Sequence, residues 1–102
     1  MPEDARKVAV TGSVQARPDR IDELLALSLE HVRRSRTEPG CIRHAVHRDV
    51  EDPLRLVFVE EWADRAALLA HFSVPASRSF VKAAAACASA ALIAAAPPAP
   101  SS

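Results

Sequence analysis

Two pairs of chain breakers, Pro39-Gly40 and Asp52-Pro53, constrain this sequence more than any other feature, because they isolate a short segment that can be only one kind of element. Upstream, "RPDRIDELLALSLEHVRRSRTEPG" places apolar residues at 21, 24, 25, 29 and 32, one face of a helix. Asp19 is the expected N-cap, with Asp22 three residues on as a near capping box. Arg33, Arg34 and Arg36 suit the C-terminal end of the helix dipole, and Pro39-Gly40 terminates it. Downstream of Asp52-Pro53, "LVFVEEW" is a strand by its β-branched and aromatic content. The segment between, "CIRHAVHR", therefore follows a turn and precedes a turn and a strand. It reads as the first arm of a β-hairpin.

The rest of the chain fits around that hairpin. "KVAVTGSV" alternates Val8, Val10, Gly12 and Val14 against Ala9, Thr11 and Ser13, a strand pattern. After Trp62, "ADRAALLAHF" has Asp64 as N-cap and Leu68, Leu69 and Phe72 at helical spacing; a break at Ser73 to Pro75 restarts a helix, "PASRSFVKAAAACA". "ALIAAA" is a weak final strand. The order is βαββαβ: an α+β, ferredoxin-like antiparallel sheet with its helices on one face. Residues 1–6 are expected to be flexible, 7–96 to form the domain, and the Ala/Pro/Ser tail at 97–102 to be disordered. Apolar strand residues (Val8, Val10, Val14, Ile42, Val46, Leu56, Phe58, Val57 and Val59) fall on both sheet faces, whereas helices cover one. The expectation is a homodimer in which two sheets pair through the helix-free face.

Composition removes several function classes. Thirteen basic and thirteen acidic residues cancel, so no field favours nucleic acid or an anionic membrane, and no apolar run is long enough to span a bilayer. Two cysteines without a secretory signal read as reduced thiols in a cytoplasmic protein. Cys41, His44 and His47, three apart, resemble a metal motif. On a strand, however, Cys41 and His47 lie roughly 20 Å apart, and Cys41 shares a face with Arg43, Ala45 and His47 while His44 sits opposite with Ile42 and Val46. That set cannot close on one ion. Cys87, at helical spacing from Phe80 and Ala84, reads as a small buried hydrophobe.

Among residues that could carry chemistry, His44 lies on the most apolar face of its strand, where desolvation keeps imidazole neutral and available as a base; the alternative is a satisfied core histidine. Trp62 ends its strand on the face of Glu60 and Phe58 and is either core or a ligand-stacking surface. Glu60 and Glu61 point to opposite faces, so they are not a paired acid and base; an inter-subunit ion pair is the expected use. His31, beside Glu30 and Arg34, reads as surface.

The stretch from Glu38 to Phe72 combines an E-P-G-C turn at Glu38–Cys41, Asp52-Pro53, a Glu60-Glu61-Trp62 strand end and an Ala67-to-His71 spacing. This combination resembles the antibiotic biosynthesis monooxygenase (ABM) domain family of dimeric α+β-barrel proteins, over residues 7 to about 80. Only the closing strand departs from the family pattern. The resemblance implies a scaffold shared by enzymes that oxidise aromatic anthrones with O₂ and no metal or flavin, by haem-degrading enzymes, and by isomerases of a phosphorylated sugar. The chain contains no Asn and no Tyr, and "VKAAAACA" follows Phe80, which argues against the haem-degrading branch. The resemblance places His71 against the same pocket as Trp62. It implies a cofactor-independent monooxygenase or oxidase, with no metal, haem or flavin, acting on a small hydrophobic, aromatic, enolisable molecule. His44 and His71 are the catalytic candidates, and Phe58, Trp62 and Phe72 the substrate-binding ones. The alternatives are a non-catalytic dimeric ligand-binding protein and an isomerase of a small sugar-derived metabolite.

Overall fold

A computed structural model describes residues 6–96; the extreme N-terminus and the 97–102 tail, for which flexibility was expected, lie outside the described residues. The elements run β1 (Val8–Ala16), α1 (Ile21–Ser35), β2 (Cys41–Arg48), β3 (Arg55–Trp62), α2 (Arg65–Ser73), α3 (Pro75–Cys87) and β4 (Ala88–Ala96). Among the described residues the strands form a four-stranded sheet in the order β2-β3-β1-β4, antiparallel throughout. This is the ferredoxin-like α+β arrangement that the order of periodicities predicts. The alanine-rich closing segment does form β4, with residues 88–96 paired to β1. The backbone ladder supplies what its low strand propensity does not.

Turn chemistry fixes the hairpin. The Asp49 carboxylate accepts from the Glu51 amide at 2.8 Å and the Asp52 carboxylate from the Leu54 amide at 3.0 Å, the Asx turns that Asp supports. Gly40 has φ +82°, in the left-handed region, and an added Cβ would stand 2.5 Å from the Ala67 Cβ. Its carbonyl accepts from the Ala63 amide at 2.7 Å, tying the start of β2 to the end of β3. The Asp64 side chain caps α2 through the Ala67 amide at 2.8 Å, as expected.

Three local expectations are corrected. Register passes from Cys41↔Trp62 to Arg43↔Glu61, so Ile42 is an extra residue in a β-bulge. The bulge rotates Cys41 onto the helix-covered face with His44 and Val46, and leaves Ile42 exposed; strict alternation put them the other way round. In α1 the N-cap is Arg20 rather than Asp19, with no side-chain cap bond. The buried stripe of α1 is Leu24, Ser28, His31, Val32 and Ser35, while Leu29 is exposed. A count of apolar residues alone misses this face because small and polar side chains complete it.

The core between sheet and helices joins Val14, Leu56 and Phe58 to Leu24, Val32, Ala84 and Cys87; a second cluster packs Val10, Trp62 and Leu68. Cys87 is fully buried, as read from its spacing. Of the apolar strand residues expected on two faces, Val8, Val10, Val14, Val46, Leu56 and Phe58 pack into these inward clusters, and Val57 and Val59 remain on the helix-free face, half-buried. Among the described residues no helix is long and apolar enough to cross a membrane.

Candidate active site

The hairpin register decides what reaches the interior. Across β2 and β3, His44 pairs directly with Glu60 and Val46 with Phe58, so a carboxylate and an imidazole share the covered face with an aromatic ring. The helices bring the rest. The stripe of α1 delivers His31, with Arg34 one turn on; the turn after α1 carries Glu38; α2 buries His71; and α3 contributes Ser77 and Phe80. Three imidazoles therefore meet, with ring centres 5.2 Å (His31–His44), 5.4 Å (His31–His71) and 5.4 Å (His44–His71) apart. All three residues are buried. His31 was expected at the surface from its charged sequence neighbours; it is instead 6 % exposed, because it lies on the side of α1 that faces the sheet.

Glu60 organises the centre. Its Oε1 accepts a hydrogen bond from Trp62 Nε1 at 2.9 Å, lies 3.3 Å from His44 Nε2 and 3.9 Å from His71 Nε2. The His44 approach is close but poorly aligned, so both His44 ring nitrogens remain buried without a well-formed partner. Burial pushes the Glu60 carboxyl pKa up, yet the contacts with His44, Trp62 and His71 outweigh it and hold the group below its ordinary value of 4.5. It is ionised at neutral pH. Glu60 thus serves within the chain rather than in an ion pair between subunits, and Glu61, on the other face, sits 3.5 Å from Lys7 Nζ.

His71 is held from behind. Glu38 Oε1 lies 2.8 Å from His71 Nδ1, and since a carboxylate can only accept, the Nδ1 proton is donated to it. The neutral ring then keeps its lone pair on Nε2, the nitrogen nearer Glu60. Any imidazolium formed there would have a carboxylate on each side. His31 is the electrostatic opposite: Arg34 Nη2 stands 2.7 Å from its Nδ1. Burial, with the neighbouring His44, Arg34 and His71, drives its pKa down to about 3 despite Glu60. Burial and the nearby Glu38 also raise the Cys41 thiol pKa, which keeps it a thiol.

A cavity of about 290 Å³ opens against this cluster. Its walls are apolar, from Val14, Phe58, Phe72, Phe80 and Val81, and its polar end presents His31, Glu60 and His71. Of the residues singled out from sequence, the structure brings Phe58, Phe72 and His71 to the cavity. Phe72 stands at its exposed rim. Trp62 is fully buried behind the wall, with its indole 4.6 Å from the His71 ring and bonded to Glu60, and His44 is sealed behind Glu60. Neither lines the cavity; both act on it through Glu60. Sequence reasoning missed His31, Arg34, Glu38 and Glu60 as site residues. The available signal for Glu60 was its phase with Phe58 and Trp62, which turns a carboxylate inward where it requires donors. For His31 it was the position one helical turn before Arg34 on a covered face.

His31, His44 and His71 are also the one group of ligating side chains, among the described residues, that could hold a metal ion, with ligand atoms within 4.8 Å of one another. A divalent ion bound at about 2.0–2.1 Å needs imidazole donors roughly 3–3.5 Å apart, so the rings would have to close in. Arg34 opposes this: by donating to Nδ1 it leaves the ring proton on Nε2, and His31 then has no free lone pair to offer. His71 fits a metal through Nε2; His31 fits only if Arg34 lets go.

A ferredoxin-like sheet with a buried carboxylate–imidazole cluster at the end of an apolar cavity defines a small α+β domain. The chain belongs to the antibiotic biosynthesis monooxygenase family, whose model matches residues 7–83. It is 37 % identical over 75 residues to the uncharacterised protein sll1783 of Synechocystis, an alignment covering 74 % of this chain and 51 % of that protein. The chain thus spans about half the length of the curated relative it matches. Among solved structures, one described as an antibiotic biosynthesis monooxygenase is 31 % identical with a TM-score of 0.84, covering 91 % of this chain and 99 % of that one. The Rv0793 structure from Mycobacterium tuberculosis has the same fold, with a TM-score of 0.86 at 23 % identity over 93 % of this chain and 97 % of that one.

Proposed function

We propose that the protein is a monooxygenase or oxidase that uses O₂ on a small hydrophobic, aromatic and enolisable compound, with His71 as the proton acceptor. The observation that carries this reading is the placement of His71: on the wall of an apolar cavity, oriented by Glu38 at Nδ1, with Nε2 turned toward the Glu60 carboxylate. An imidazolium formed on His71 would lie between two carboxylates, Glu38 at Nδ1 and Glu60 beyond Nε2. The indole N–H of Trp62 keeps Glu60 in place for that role, with His44 packed behind it.

The chemistry balances without a redox group from the protein. A substrate CH₂ carbon gives a proton to His71 Nε2, leaving a carbanion delocalised into the aromatic system. Electron transfer to O₂ and recombination form a C–O bond and a peroxide anion, which takes the proton back from His71. Loss of water from the hydroperoxide leaves a carbonyl: one CH₂ and one O₂ give one C=O and one H₂O. The substrate is the reductant, and the apolar walls keep bulk water from quenching the carbanion. A cavity of about 290 Å³ favours a compact ring system.

Val57 and Val59, half-buried on the helix-free sheet face, support a homodimer through that face. The test of function is to screen hydroxyaromatic and anthrone-like compounds for O₂ uptake and, in parallel, for binding. Stoichiometric O₂ consumption with one carbonyl per O₂ is expected. Tight binding without uptake would make the protein a dimeric ligand-binding protein, and turnover without O₂ would make it an isomerase.

A further inference from the structure

His31 has no part in the proton transfer described above, yet it is buried at the polar end of the cavity and held with unusual definition. Its ring lies flat on Phe80, with centres 4.1 Å apart and planes 8° from parallel, which fixes its tilt. Arg34 Nη2 is 2.7 Å from Nδ1 and is itself anchored by Ser77 Oγ at 3.2 Å. A guanidinium has only donors and keeps its proton at any ordinary pH, so Nδ1 must be the acceptor in this pair. In the neutral ring the one remaining proton is therefore on Nε2. The tautomer is set by Arg34, and it is the opposite of the tautomer Glu38 imposes on His71.

The groups facing His31 come from every element around it: Arg34 from its own helix, His44 from β2, Glu60 from β3, His71 from α2, and Ser77 with Phe80 from α3. Burial and the three cationic or potentially cationic neighbours disfavour imidazolium more than Glu60 favours it. At neutral pH His31 is a neutral donor, and it stands beside His71, whose Nδ1 proton is directed to Glu38. Such a pair divides the labour that enolisation requires: one ring takes the proton and the other holds the oxygen on which negative charge develops.

We propose that His31 binds the enolate or phenolate oxygen of the substrate through its Nε2 proton, with Arg34 as the positioning residue that fixes the tautomer. The inference rests on the proposed reaction for the identity of the oxyanion. Its test does not require turnover. A neutral imidazole suits this task because it stabilises the oxyanion without carrying an acidic proton that would quench the carbanion.

The experiment uses the full chain and 4-nitrophenol, whose phenolate absorbs at a wavelength distinct from that of the phenol. The wild type is expected to bind phenolate in preference to phenol, so that the bound dye ionises at a lower pH than the free dye. His31→Leu should weaken phenolate binding roughly ten- to a hundredfold, the scale of one hydrogen bond to a charged group, with phenol binding nearly unchanged. His31→Gln, which restores an N–H donor, should recover much of the preference. Arg34→Met, which frees the tautomer while leaving His31 in place, should lose part of it, and Arg34→Lys, which keeps a donor, should not. The Arg34 pair decides the matter if His31→Leu fails to fold. A preference unchanged in His31→Leu, or in Arg34→Met if that is the variant available, overturns the proposal, as does a His31→Gln no better than His31→Leu. If phenolate preference follows His31 but no compound supports O₂ uptake, the oxyanion site stands and the oxidase reading fails; uptake without any phenolate preference has the reverse meaning.

Discussion

Replacing Trp62 with Phe tests whether Glu60 is held as an ionised carboxylate by its neighbours. Trp62 is fully buried and its Nε1 donates to Glu60 Oε1 at 2.9 Å, while Glu60 is only 8 % exposed. Phe fills most of the space but has no donor, so the variant leaves a buried carboxylate one partner short. A hydrogen bond to a charged group contributes about 1.5–3 kcal/mol. The few ring atoms removed from a packed site cost roughly another 1 kcal/mol, on the scale of small deletions in a core. The expected loss is therefore about 2.5–4 kcal/mol, read by urea unfolding at pH 7 and fixed protein concentration. The two contributions separate in a double-mutant cycle with Glu60→Gln, in which the acceptor is uncharged. In that background Trp62→Phe should cost at least about 1 kcal/mol less, because the packing loss remains and the charge-assisted part is gone. An equal cost in both backgrounds would refute the reasoning: the indole would then matter to Glu60 only as volume.

Three further outcomes follow from the same contacts. The His31 pKa is lowered from 6.5 to about 3, so as pH falls through that window the unfolded chain takes up a proton the folded chain refuses, and stability falls; in His31→Phe, acid unfolding curves between pH 6.5 and 4 should show a shallower decline than the wild type, and an unchanged slope would contradict it. Gly40→Ala, which forces a side chain into φ +82° and against the Ala67 Cβ, should cost at least about 2 kcal/mol by thermal denaturation, while a neutral effect would mean that the turn relaxes freely. Sedimentation at micromolar concentration should give a dimer, and Val59→Glu on the helix-free face should give the monomer; a wild-type monomer would remove the proposed interface.

The scaffold was legible in the sequence because its punctuation is strong. Pro39-Gly40, Asp52-Pro53 and Asp64 each impose a local geometry through chemistry that tertiary context has little power to override. The inward face of β3 was equally readable, since Leu56, Phe58 and Trp62 alternate strictly. What failed was legible only in three dimensions. The bulge at Ile42 reverses the side on which Cys41 lies, and one inserted residue leaves no compositional trace. His31 and Ser28 carry the covered face of α1 although neither is apolar, so a hydrophobic count turns the helix toward Leu29. The candidate site suffers the same way. His71 was a candidate through the family resemblance and Phe58 shared its strand face with Trp62, whereas Glu38 and Arg34 acquire much of their meaning from partners far away in sequence: Glu38 meets His71 across 33 positions, and Arg34 meets Ser77 across 43.

The central claim, that His71 takes a proton from an enolisable carbon, is tested most directly with oxygen removed. Under argon in D₂O, an anthrone-like compound that binds should exchange its acidic C–H for deuterium, followed by proton NMR, without being oxidised. The wild type should accelerate exchange, and His71→Gln should slow it by roughly a hundredfold, the usual scale for losing a general base. Glu38→Gln, which removes the carboxylate from Nδ1, should fall between the two. Exchange that persists undiminished in His71→Gln, or wild-type protein that binds such compounds and never exchanges their protons, would contradict the account.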